Sequence, residues 1–177
     1  MAVSKERGKD FEAELSDSMR AAGVLTHRIR DGYTIVRGKK VSQKNPCDFY
    51  AWKPTQGGVV CLAVEAKATA EKSLPFDNVQ PHQLEALLEF ESAHPDMHGF
   101  LAVNFYSADG LRHGNRMFFV PVMTYASYVA SSGRRSIPLK FIEGDPTCVE
   151  CPRTDGMRWD VGPWAATLEV SDGRPRP

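Results

Sequence analysis

Apolar residues recur at helical spacing near the start of the chain, where Phe11, Leu15, Met19 and Ala22 form one stripe. Ser4 is placed to cap a helix running to about Ala22, and Gly23 to end it. Val24 to Arg30 then alternates as a strand, and the following stretch with Gly32 and Gly38 reads as a hairpin or mobile loop. Cys47 to Trp52 is a second strand, joined through Pro54-Thr55-Gln56-Gly57-Gly58 to Val59–Lys67, a nearly continuous apolar run. After an irregular stretch from Thr69 to Asn78, Pro81 suits the first turn of a helix. Its one face carries Leu84, Leu87, Leu88 and Glu91, and His94-Pro95 stops it. Gly99 to Phe105 reads as a buried strand, Asp109-Gly110 as a turn, Arg116 to Val120 as a strand and Pro121 to Ser131 as a short helix.

The order α-β-β-β-α-β-β-α predicts an α/β fold with a mixed central β-sheet flanked by helices. That domain is expected over residues 1–142. From Glu143 the periodicity fades, and proline with Trp159 and Trp164 suggests an irregular appendage over 143–177 that packs its tryptophans onto the domain.

Composition bounds the partners. A chain of 177 residues, 42% hydrophobic and 25% charged, has the size and make-up of one globular domain with a real core. The formal net charge is zero, so no global attraction to DNA or an anionic membrane is available and local clustering must supply any such contact. Between His27 and Lys44 the chain gathers Arg28, Arg30, Arg37, Lys39, Lys40 and Lys44 against the single acid Asp31, a candidate phosphate-binding loop. No stretch approaches the roughly 20 apolar residues of a membrane span, which predicts a cytosolic protein with reduced thiols at Cys47, Cys61, Cys148 and Cys151. Cys148 and Cys151 have C-x2-C spacing, but no second Cys/His pair follows, and a surface loop is the simpler reading.

The apolar run holds two charges that need a reason, Glu65 and Lys67. Residues i and i+2 of a strand share a face about 7 Å apart, so carboxylate and ammonium emerge side by side, and Asp48 on the preceding strand can lie opposite Glu65. Two carboxylates suit Mg²⁺, with Mn²⁺ as a substitute, because a hard cation takes one or two carboxylates and keeps several waters. Such an ion polarises a phosphate and activates water, while Lys67 can orient the water or stabilise developing charge. Taken alone, Glu-x-Lys is very weak evidence, since any charged edge strand can contain it as a simple cross-strand ion pair. Glu12, beside the buried stripe of the first helix, can project towards the strands as a third carboxylate, or remain exposed and pair with Lys5 or Lys9. Gln83, next to His82 on the polar border of the second helix, can hold a metal-bound water or a phosphate, or simply face solvent.

Taken together, Arg7-Gly8-Lys9-Asp10-Phe11-Glu12, Asp48-Phe49-Tyr50, Glu65-Ala66-Lys67-Ala68-Thr69, Ser73-Leu74-Pro75-Phe76-Asp77-Asn78 and His82-Gln83 resemble the ordered motifs of the RecU Holliday junction resolvases, within the PD-(D/E)XK nuclease superfamily. The resemblance covers roughly Arg7 to Tyr128. It implies a restriction-endonuclease-like fold, a homodimer, Mg²⁺ dependence and symmetric nicking of four-way DNA junctions. By motif match Asp48, Glu65 and Lys67 would be catalytic, with Glu12 and Gln83 in support. The family's long stalk between the early strands is replaced here by the short basic stretch Asp31 to Asn45, and Asn45-Pro46-Cys47 stands where the family has hydroxyl residues. Two other readings remain open on the residues. One is a PD-(D/E)XK endonuclease of other specificity, such as a restriction, repair or phage enzyme. The other is a DNA-binding module without catalysis, in which Asp48, Glu65 and Lys67 form a structural ion network.

Overall fold

The first helix, α1, spans Ala2–Ala21 and buries Phe11, Leu15 and Met19 along the expected stripe. It begins ahead of Ser4, which therefore lies inside the helix and not at its cap. Gly23 ends the turn at φ +75°, a conformation glycine adopts without a Cβ clash. This computed structural model describes residues 2–30, 32–42, 44–106, 115–154 and 158–169. Among them, no helix is long and apolar enough to cross a membrane.

Strand β1 covers Leu25–Arg28, shorter than the alternation suggested. The basic segment is a hairpin of β2 (Tyr33–Val36) and β3 (Lys39–Ser42), and its turn holds Arg37 and Gly38 at φ 50° and 76°. Two consecutive positive φ values match the right-handed twist of the flanking strands. Strands β4 (Phe49–Thr55) and β5 (Gly58–Thr69) form a longer hairpin than expected. Only Gln56 and Gly57 turn, while Pro54 stays in the ladder at a position beyond the reach of β1. The expected irregular stretch contains β6 (Ser73–Pro75) and a single 3₁₀ turn, Phe76–Asn78.

Helix α2 (Pro81–Ala93) is the crossover that the parallel pairing of β5 with β7 (Met97–Phe105) requires. It packs close at Gly99, where a Cβ would come within 2.9 Å of both Leu87 O and Val122. Strand β8 (Arg116–Pro121) pairs antiparallel with β7, and α3 (Val122–Ser131) follows. The turn expected at Asp109-Gly110 lies outside the described residues.

The chain then adds β9 (Ser136–Pro138), α4 (Leu139–Gly144), β10 (Val149–Cys151), β11 (Arg153–Thr154), β12 (Arg158–Trp159) and α5 (Gly162–Ala166). Sequence periodicity shows none of these, because each is six residues or shorter. The segment expected as an appendage supplies β10, an edge strand of the central sheet. Trp159 and Trp164 are buried, with Trp164 stacked on Phe119 at 3.6 Å.

The six-stranded sheet has the order β1-β4-β5-β7-β8-β10, mixed as expected. One apolar cluster joins α1, α5 and the face carrying Leu62, Val64 and Phe100. The other joins α2, α3, β6 and β9 to the face carrying Ala63, Leu101 and Val103. Arg116, bonded to both Glu150 oxygens at 2.6 Å and paired with Glu143, ties β8 to α4 and β10.

Candidate active site

The β4–β5 register ends with Phe49 opposite Val64, and Asp48, the residue just ahead of β4, lies against the part of β5 that carries Glu65. Asp48 N–H donates to Val64 O at 3.2 Å, and Ala66 N–H donates to Asp48 Oδ2 at 2.8 Å. The first carboxylate is thus fixed by the backbone of the strand that carries the second. Glu65 is 1% exposed. Its Oε1 accepts from Lys67 Nζ at 2.5 Å and from Gln83 Nε2 at 2.6 Å. Gln83 Oε1 in turn accepts from Gln80 N–H at 3.0 Å and Lys67 Nζ at 3.3 Å. Four of the sequence-predicted residues, Asp48, Glu65, Lys67 and Gln83, are therefore brought together.

Electrostatics follow from this packing. Burial pushes the Glu65 carboxyl up to about 8, the nearby Asp48 carboxylate adds to the rise, and Lys67 opposes it. Burial also raises Asp48, against the lowering effect of Ala66 N–H and Lys67. Cys47, next in chain to Asp48, is buried, and its thiol is pushed up to about 12 by desolvation and by the two acids. It stays a neutral thiol donating to Phe49 O at 3.3 Å.

Glu65 Oε2 is buried and has no hydrogen-bond partner. A carboxylate oxygen left bare at that depth costs on the order of 1–3 kcal/mol unless something binds it. Two carboxylates with one bare oxygen fit a hard divalent cation that completes its shell with water or phosphate oxygen. Among the described residues no group of three or more His, Cys, Asp or Glu side chains is placed to hold a metal ion.

Glu12 is ion-paired with Arg28, whose charge also lowers Asp48, and the pair therefore borders the carboxylates. No sequence signal joins positions sixteen apart on a helix and a strand, and this contact was not legible before folding. Nor was the Gln80 N–H that orients Gln83. Arg30, Arg37, Lys39 and Lys44 are exposed, and Lys40 lies in β3. The β2–β3 hairpin leaves the sheet after Arg28 and returns just before Asp48, with Ile29 N–H bonded to Asp48 O at 2.8 Å. Its root is the rim of the carboxylate site. Cys148 and Cys151 are free thiols, and the expected surface loop does not hold for Cys151, which is buried at the end of β10 because that strand joins the sheet edge.

Among solved structures, Hjc of Archaeoglobus fulgidus, described as a Holliday junction resolvase from an archaeal hyperthermophile, aligns with a TM-score of 0.41 at 22% identity, over 66% of this chain and 74% of that one. No curated protein matches the chain. The family model described as RecU, Recombination protein U, matches residues 26–155, a span that encloses Asp48, Glu65, Lys67 and Gln83 and covers well over half of the sequence. This chain belongs to the RecU family.

Proposed function

We propose that this chain is a metal-dependent endodeoxyribonuclease that resolves Holliday junctions by paired nicks, acting as a homodimer. The observation that carries the reading is the pairing of half-buried Asp48 with buried Glu65, with Lys67 alongside, inside the segment that matches the RecU model. A divalent metal ion, Mg²⁺ on the chemistry of the donors, would be held by Asp48 and Glu65, and would supply charge neutralisation at the scissile phosphate and a more acidic water.

The chain's own groups do the rest. Lys67 has three N–H donors, of which two are engaged by Glu65 and Gln83. The third can reach a phosphate oxygen or the attacking water and favour the negative charge of the transition state. Gln83 fixes Lys67 and Glu65 relative to each other. Glu12 and Arg28 flank the pair as an acid and a cation whose mutual neutralisation can give way when a phosphate approaches. Arg30, Arg37, Lys39, Lys40 and Lys44 hold the DNA backbone from the hairpin side.

The test is cleavage of a four-way junction and of a linear duplex in the presence of Mg²⁺ or Mn²⁺, with Asp48→Asn as the control. Paired nicks in opposed strands of the junction, absent from the variant, are the expected result. No cleavage of either substrate with either metal overturns the reading. The brevity of the hairpin, four residues in each strand, favours one alternative, an endonuclease of this superfamily acting on duplex or branched DNA generally. Equal cleavage of both substrates would establish it.

A further inference from the structure

Strands β6 and β9 pair with each other and with no strand of the main sheet. They join two stretches of chain some sixty residues apart, with Ser73 opposite Pro138 and Pro75 opposite Ser136. Leu139 N–H donates to Lys72 O at 3.0 Å at one end, and Phe76 N–H to Arg135 O at 2.9 Å at the other. Leu74 and Ile137 are fully buried and root the ladder in the core shared with α2 and α3.

Around this ladder stand Lys72, Arg134, Arg135 and Lys140, all exposed. Among the described residues none of the four is in an ion pair. Among the described residues, Arg28 is matched by Glu12, Lys67 by Glu65, Arg116 by Glu143 and Glu150, and Arg153 by Glu14. The stretch 133–140 carries no acid, and on the facing stretch only Glu71 and Asp77 oppose the four cations. In a chain of zero net charge, such a cluster is a local excess of positive charge, which attracts a polyanion.

Its position gives the cluster meaning. Lys72 lies five residues beyond Lys67 along the same run of chain. The ladder shares its apolar cluster with Val103 and Phe105 of β7 and Phe118 of β8, whereas the β2–β3 hairpin is rooted beside β1 and β4. The carboxylate pair, Asp48 just ahead of β4 and Glu65 on β5, lies in sheet order between β1 and β7. From Lys72 to the Phe76–Arg135 rung is four strand steps, roughly 13 Å. At about 3.4 Å of helix axis per phosphate on one strand, that length spans about four nucleotides.

We propose that the β6–β9 ladder is a second DNA-binding surface, in which Arg134 and Arg135 at one end and Lys72 and Lys140 at the other hold phosphates of the backbone on the β7–β8 side of the cleavage site. The partner is the sugar-phosphate backbone of a duplex arm, bound without base readout. This rests on the nuclease reading for its purpose and is measured separately from it.

The experiment is equilibrium binding of the full chain to a fluorescent linear duplex and to a four-way junction in EDTA across a salt series. Wild type is compared with R134Q/R135Q/K140Q and with the charge-preserving R134K/R135K/K140R. At roughly 0.9 per phosphate no longer neutralised, the uncharged variant should flatten the slope of log K against log[salt] by up to about 2.7 on both substrates, with affinity about tenfold or more lower near physiological salt. The charge-preserving variant should keep the wild-type slope. Identical slopes for wild type and the uncharged variant, with the fold intact by thermal melting, overturn the proposal. Loss of slope in both variants also overturns it, because charge would not be the cause. A wild type that fails to cut junctions refutes the nuclease reading and leaves this comparison unaffected.

Discussion

Gln83 Nε2 donates a 2.6 Å hydrogen bond to Glu65 Oε1, joining the first turn of α2 to the middle of β5. With the 2.5 Å bond from Lys67, this gives one oxygen of the buried acid two protein donors and leaves the other bare. The acid is oriented before any ligand arrives. Parallel pairing of β5 with β7 makes a crossover helix obligatory, and the start of that helix supplies the amide that aims the carboxylate.

Gln83→Ala should therefore act through Glu65. Loss of a group that orients a metal ligand typically costs about 10–100-fold in affinity or activity. Mn²⁺ titration by calorimetry should show weaker binding, and cleavage should fall most at limiting metal. Gln83→Glu should be worse, since it sets a third carboxylate against Glu65 and removes both amide donors. Unaltered metal affinity in Gln83→Ala would confine Gln83 to the start of the helix.

Asp48→Asn or Glu65→Gln should abolish cleavage while the protein still folds and binds DNA. Each change removes a ligand charge with little change of volume, so the loss falls on the transition state. In Asp48→Asn the amide oxygen can still accept from Ala66 N–H, which protects the strand register in that variant. Near wild-type rates from either variant would refute the metal-site assignment.

The sheet and its two large helices were legible because their patterns are long. The stripe from Phe11 to Met19 and the run from Val60 to Val64 both bury largely as expected. Asp48, Glu65 and Lys67 could be placed together because strand alternation and a hairpin fix their neighbours. Gln83 was legible as a polar border residue with a supporting role, but its bond to Glu65 was not, because that depends on how closely α2 approaches β5. The pairing of Glu12 with Arg28, and the gathering of Lys72 with Arg134, Arg135 and Lys140, depend on tertiary placement and leave no periodic trace. The short strands after Pro138 were missed for the same reason. Two or three residues paired with a distant partner, as in β10 against β8, carry no period of their own.

Lys67→Ala should lower the cleavage rate strongly while leaving Mn²⁺ affinity almost unchanged or slightly improved. The ammonium repels a cation, and it also favours the negative charge that develops on the phosphate. Its 2.5 Å bond to Glu65 competes with a metal for the same acid, which works in the same direction. Calorimetry and single-turnover kinetics separate the two quantities. Collapse of metal binding together with activity would make Lys67 structural.

The raised Glu65 carboxyl makes stability depend on pH with a definite sign. In the metal-free fold it keeps its proton up to about 8, whereas in the unfolded chain it ionises near its ordinary value of 4.5. Between those values the folded state binds more protons, so stability falls as pH rises. Stability from this group is full below the lower value and is lost as pH passes through the upper one. Urea midpoints in EDTA should decline from pH 5 to pH 8.5, and Glu65→Gln should flatten that decline. At pH 7 metal binding must also expel the proton, so its calorimetric enthalpy should vary with the ionisation enthalpy of the buffer. A buffer-independent enthalpy would mean that Glu65 is already ionised.

Arg37, Lys39 and Lys40 test the hairpin in the role of the family's longer stalk. Arg37 sits in the turn at φ 50° beside Gly38, and Arg37 and Lys39 are exposed, so the tip carries its charge outward. Neutralising all three should weaken DNA binding and flatten the slope of log K against log[salt] by up to about 2.7, at roughly 0.9 per phosphate no longer neutralised. If the hairpin enters the centre of the junction, the effect should be larger on a four-way junction than on a linear duplex of equal length, because only the junction offers converging backbones there. Equal effects would mean general phosphate binding and would favour the broader endonuclease reading. The hairpin springs from the strand positions that carry Arg28 and Asp48, so releasing the DNA from its tip should also change where the backbone lies over the carboxylates. Junction cuts in this variant should therefore spread over neighbouring phosphates, which end-labelled strands resolve to the nucleotide, and an unchanged cut position would limit the hairpin to affinity alone.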